Sequence, residues 1–105
     1  MKQRRLVFQP AAQADILDIW ELVAANDGPA RADSVLRKIE ALCRSLATMP
    51  AIGTRHDDRY PGLRSTGVPG LRRASVIFQV GETTVVVLRV GYLGREVFAA
   101  IPDPR

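Results

Sequence analysis

The stretch LRVGYLGREV, residues 88–97, is the first place to look for chemistry. It follows the most apolar strand-like run of the chain, which ends in Val90, and it packs two glycines, a tyrosine and an arginine into five residues. A phenol and a guanidinium at the lip of a sheet can bind an anion or move a proton. The same residues can also do no more than end a strand. Other reactive side chains are sparse. His56 is the one histidine and Cys43 the one cysteine. Asp57 and Asp58 follow His56 and would repel a polyanion. No Cys/His spacing of the metal-site kind is present. Ser65 and Ser75 have no evident histidine partner, and Gly62, Gly67 and Gly70 fit no phosphate-loop pattern. These residues call for neither metal nor cofactor.

The totals bound what can position such groups. At 105 residues, a single domain spanning residues 1–105 is expected. With 47% hydrophobic residues the chain can build a core without staples. One cysteine rules out an internal disulfide, which suits a reducing cytoplasm. Met1 to Arg5 has the basic start of a signal peptide, but Leu6-Val7-Phe8 is too short an apolar stretch and Pro10 interrupts it. No run approaches the roughly 20 apolar residues of a membrane span. A soluble, cytoplasmic protein is the expectation. The net charge of +4 and pI near 10 favour a negatively charged partner, either nucleic acid or an acidic protein.

The pattern predicts β-α-α-β-β-β. Arg4–Phe8 reads as a short strand that Pro10 stops. Residues 10–26 read as a helix with Ala12, Ile16, Ile19, Trp20 and Val23 on one face, and with Asp15, Asp18 and Glu21 largely off it as a solvated acidic run. Residues 29–49 read as a second helix whose stripe is Ala32, Val35, Leu36, Ile39, Leu42, Cys43 and Leu46. Pro10 and Pro29 suit the first helical position. The short Asn26-Asp27-Gly28 turn makes a helical hairpin. Residues 50–62 read as a polar loop, 63–66 as a short strand, and 71–80 and 83–90 as a β-hairpin.

The register of that hairpin decides which face Arg89 takes. A two-residue loop at Gly81-Glu82 pairs Val80 with Thr83 and puts Arg89 on the apolar face with Ala74, Val76 and Phe78. A three-residue loop pairs Val80 with Thr84. It groups Val76, Phe78, Val86, Leu88 and Val90, and leaves Arg73, Ser75, Ile77, Gln79, Val87 and Arg89 on the other face. A one-residue slip exchanges the faces, and burying an unpaired arginine is costly, so the three-residue loop is expected. The fold class is α+β: an antiparallel helical hairpin on one face of a small, mainly antiparallel sheet, with arginines on the other.

Three segments together resemble the ParE/RelE superfamily of bacterial toxins, and the ParE branch most. They are PAAQADILDIWELVA, YPGLRSTGV and RRASVIFQVGETTVVVLRV, and their order, spacing and total length match nearly along the whole chain. The resemblance implies a toxin neutralised by a cognate ParD-like antitoxin that wraps it. In the ParE branch it implies DNA gyrase as the target. In the RelE branch it implies mRNA cleavage on the ribosome.

Cleavage through the 2′-hydroxyl needs a base, an acid and cations for the phosphate. Laid on the RelE pattern, Arg64, Arg72 or Arg73, and Arg89 could supply cations. The C-terminal tyrosine position falls near Phe98, which cannot ionise. Tyr92 is the substitute, so Arg73, Arg89 and Tyr92 are the catalytic set if the chain is a ribonuclease. The paired lysines of that branch are missing, since the only lysines are Lys2 and Lys38. The reading is therefore an inhibitor that works by binding, with no catalytic residues, no membrane contact and nucleic-acid contact only through an antitoxin complex. Target contacts are assigned to Arg64, Arg72, Arg73, Arg89, Tyr92 and Arg95. Antitoxin contacts are assigned to Ile16, Trp20, Leu42 and Leu46, because aromatic and apolar anchors dominate interfaces. Each has a structural alternative: core packing for Trp20, solvated strand positions for Arg73 and Arg89, and for Arg64 an ion pair with Asp58 or an acidic helix residue.

Overall fold

The computed structural model describes residues 3–92. Its elements are β1 (Arg5–Phe8), α1 (Pro10–Asp27), α2 (Pro29–Ser45), β2 (Thr54–Arg55), β3 (Leu63–Gly67), β4 (Ala74–Val80) and β5 (Thr84–Tyr92). The strands lie in the order β1-β5-β4-β3-β2. β1 runs parallel to β5, and the other neighbours are antiparallel. This is the expected α+β arrangement, with one strand more than the sequence suggested. The extra strand, β2, sits inside the stretch read as loop. Gly53 makes it possible: at φ +76 it passes so close to β3 that a Cβ would lie 2.1 Å from the Ser65 carbonyl oxygen.

Both helices begin on proline, where the missing N–H is an orphan anyway. Gly28 alone joins them. Its N–H donates to Ala24 O at the end of α1, and its carbonyl accepts from Ala32 at the start of α2. The φ of 88 there favours glycine. α2 stops at Ser45, short of the expected 49. The Ser45 hydroxyl donates to Leu42 O at 2.6 Å, and Leu46 N–H reaches back three residues to Cys43 O, which tightens and ends the helix.

The helices cover one face of the sheet. Ala12, Ile19 and Val23 from α1 meet Ala32, Val35, Ile39, Leu42 and Cys43 from α2, and both meet Ala74, Val76, Phe78, Val85, Val87 and Val90 of the sheet. A smaller cluster of Tyr60, Leu63, Ile77 and Leu88 lies on the opposite face.

The hairpin register differs from expectation. Val80 pairs with Val85, so four residues, Gly81 to Thr84, form the loop. Near the loop, Val85 and Val87 therefore face the helices, and Val86 does not. The sequence reading had these reversed. A bulge then falls opposite Ile77/Phe78, with Leu88 as the extra residue. Beyond it Ile77 pairs with Arg89 and Val76 with Val90. The physical reason is that no bulge-free register buries Val85, Val87 and Val90 together. The bulge lets all three reach the core, sends Leu88 to the smaller cluster and keeps Arg89 off the apolar face.

Cys43 is fully enclosed in this core. Burial, reinforced by Glu40, pushes its thiol from 9.0 up to about 12. The native state keeps this proton where the unfolded chain releases it. The associated stability is thus whole below about pH 9 and is lost as pH rises toward about 12. Urea midpoints should fall over that window in the wild type and less steeply in Cys43→Ala. A thiol reagent such as Ellman's should modify Cys43 only after unfolding; fast reaction of the native protein would contradict this packing.

Candidate functional site

β1 covers β5 only as far as Val87, whose carbonyl accepts its last hydrogen bond, at 3.0 Å from Gln9 N–H. β5 continues to Tyr92, so its next amide on that edge, Val90, needs another partner. Asp15 supplies it: Val90 N–H donates to Asp15 Oδ2 at 2.9 Å. Arg89 closes on the same carboxylate as a fork, Nε to Oδ2 at 2.7 Å and a terminal nitrogen to Oδ1 at 2.9 Å. The Asp15 side chain is 4% exposed and that of Arg89 18%. The hydrogen bonds it donates to Asp15 push the Arg89 guanidinium further above its ordinary range. Such bidentate pairs are the strong kind of charged hydrogen bond.

Asp15 therefore belongs to the buried stripe of α1, with Ala12, Ile19 and Val23, and not to a solvated acidic face. The spacing 12, 15, 19, 23 carried that signal. Its polarity masked it. Arg89 in turn is engaged inside the fold and does not stand on an open face as a free cation.

The other assigned residues scatter. Arg72 and Arg73 are exposed just before β4, with no hydrogen-bond or ion-pair partner among the described residues. Arg64 is half-buried and donates from Nε to Ile52 O at 2.9 Å, instead of pairing with Asp58 or a helix carboxylate. Tyr92 pairs with Ala74 and packs against the main core. Arg95 lies outside the described residues, as do Phe98 and the rest of the C-terminal segment. Ile16 and Trp20 are half-buried against the core, and Trp20 Nε1 donates to Asp33 Oδ1 at 2.9 Å, tying α1 to α2. Leu42 and Leu46 are enclosed in the core, so their side chains offer a partner almost no surface.

Two features lay outside the sequence reading. His56 Nε2 sits 2.7 Å from Ser65 Oγ, so that serine does have a histidine partner, brought there by the Thr54–Ser65 pairing of β2 with β3. The second is a cavity of about 590 Å³ beside the end of α2, lined by Arg4, Met49, Pro50, Ile52, Arg64 and Val80 among others. On its rim Arg55 Nε and Gly62 N–H donate to the two oxygens of Asp57. Those bonds, the Gly62 amide first, hold the Asp57 carboxyl below its usual range.

Comparison with known proteins gives this geometry a context. The family model described as the ParE toxin of the type II toxin–antitoxin system parDE matches residues 6–96. Toxin ParE1 of Mycobacterium tuberculosis is 31% identical over 87 residues, 82% of this chain and 86% of that protein. The fold is similar to the chromosomal ParDE system of P. aeruginosa, with a TM-score of 0.73 at 21% identity, covering 88% of this chain and 98% of that one. It is similar also to the toxin–antitoxin complex RelBE2 of M. tuberculosis, with a TM-score of 0.58 at 19% identity, covering 86% and 98%.

Asp15→Ala should destabilise the protein by about 3 kcal/mol, the low end for a broken buried pair because Arg89 keeps some solvent contact. Asp57→Asn, at an exposed pair that solvent screens, should cost clearly less. Urea unfolding of the two variants checks the ranking; equal losses would contradict it.

Proposed function

Because this chain belongs to the ParE toxin family of type II toxin–antitoxin systems, we propose that it arrests growth by binding and inhibiting DNA gyrase in the bacterial cytoplasm. A ParD-like antitoxin holds it inactive. The observation that carries the reading is the Asp15–Arg89 pair. A ribonuclease needs cations free to meet a phosphate, and here the carboxylate of α1 already neutralises one of the candidates, Arg89. Tyr92, the substitute acid or base, packs against the core. The paired lysines are missing, since Lys2 and Lys38 are the only ones. The positive net charge suits an acidic antitoxin. Two proteins of similar fold belong to toxin–antitoxin systems, one of them a complex with its antitoxin, which supports a partner of that kind.

Purified protein should lower gyrase supercoiling in a dose-dependent way and should leave mRNA intact on translating ribosomes. Unchanged supercoiling at large excess over gyrase would overturn the target. Cut message that disappears in Arg73→Ala would instead establish the ribonuclease reading.

A further inference from the structure

We propose that the cavity beside the end of α2 is a docking site for an acidic protein segment that presents an apolar side chain flanked by carboxylates. The argument starts from the arginines on its wall. Arg4 donates from Nε to Gly81 O at 2.9 Å, and Arg64 from Nε to Ile52 O at 2.9 Å. Both partners are neutral carbonyls. Each bond fixes a guanidinium by one edge, and no acceptor among the described residues takes its terminal nitrogens. Asp57, the one carboxylate among the described lining residues, pairs with Arg55 and also acts on Arg64, so it offsets only part of the charge of Arg4, Arg55 and Arg64. Among the described residues the lining therefore carries three guanidiniums against one carboxylate, and Arg4 and Arg64 are held in fixed orientations.

The rest of the lining selects the kind of anion. Met49, Pro50, Ala51, Ile52 and Val80 form an apolar wall, and Met49 stays 57% exposed. A flexible thioether at such a place adapts to an inserted side chain. A nucleic-acid backbone brings phosphates and no aliphatic group to cover that wall, whereas a peptide brings both. A second copy of this chain brings net charge +4 to a site that is itself positive. Charge complementarity thus favours an acidic segment of a different protein. The inference deepens the antitoxin reading and depends on it only for the identity of the protein that supplies the segment.

The test uses the full chain, with the Met49 methyl and the backbone amides followed by NMR. The probe is a synthetic decapeptide with one leucine between two glutamates. Controls are the same peptide with glutamines for the glutamates, one with alanine for the leucine, and a hexauridylate. The glutamate–leucine peptide should shift Met49, Ile52 and Arg64 and bind at least about tenfold more tightly than either control peptide. Two variants should abolish the preference: Arg4→Gln with Arg64→Gln, and Met49→Glu, which places a like charge at an exposed position and leaves the core alone. Shifts elsewhere, no shifts, or a stronger response to the hexauridylate would overturn the proposal. Equivalent shifts on concentrating the protein alone would give the cavity to a second copy, and would overturn it too. Neither gyrase nor antitoxin is in the tube, so these outcomes are independent of the supercoiling result.

Discussion

One carboxylate solves two problems that the topology creates. β1 must leave the sheet early because Pro10 opens α1, and β5 must run on because its apolar end completes the core. The edge of β5 is then open at Val90, beneath the helix. An unpaired amide there would cost on the order of 1–3 kcal/mol. Asp15 takes that amide, and Arg89 balances the charge so introduced. The Asp15 carboxylate, 4% exposed, would be costly there without that partner. The contact spans 74 residues of sequence and fixes the rotation of α1 against the sheet.

The bulge at Leu88 belongs to the same arrangement. Without it, a register that buries Val85 and Val87 would carry Arg89 into the apolar layer and Val90 out of it. With it, Val90 turns inward, Arg89 meets Asp15, and Leu88 covers Ile77 on the far side. The chemistry available to the protein follows from this. The end of β5 carries a satisfied ion pair. Other arginines that make no ion pair among the described residues lie elsewhere, among them Arg72 and Arg73 before β4 and Arg4 and Arg64 on the cavity wall.

Much of the fold was legible because its signals are local. Two prolines at helix starts, a glycine between them, and apolar stripes at helical spacing are read from neighbouring residues. The strand runs were equally plain. What escaped depends on contacts distant in sequence. β2 exists because Gly53 approaches Ser65, and no pattern in Thr54-Arg55 shows it. The register could be narrowed to a choice of parity, but the bulge makes one parity hold near the loop and the other beyond it. Asp15 looked solvated because a lone aspartate on an apolar stripe has no visible partner until β5 is placed beside it. For the same reason Arg89 looked free and Ser65 looked unpartnered. Leu42 and Leu46 were rightly read as apolar, but their surface turned out to be used within the chain.

The central claim is that Arg89 is a structural cation held by Asp15. A double-mutant cycle over Asp15→Ala, Arg89→Ala and the pair, followed by urea unfolding, tests it most directly. The account predicts a coupling of about 2–3 kcal/mol, with the double variant well above the sum of the single losses in stability. A coupling below about 0.5 kcal/mol would mean that the two groups act independently, and Arg89 would return to the surface as a cation available to a phosphate.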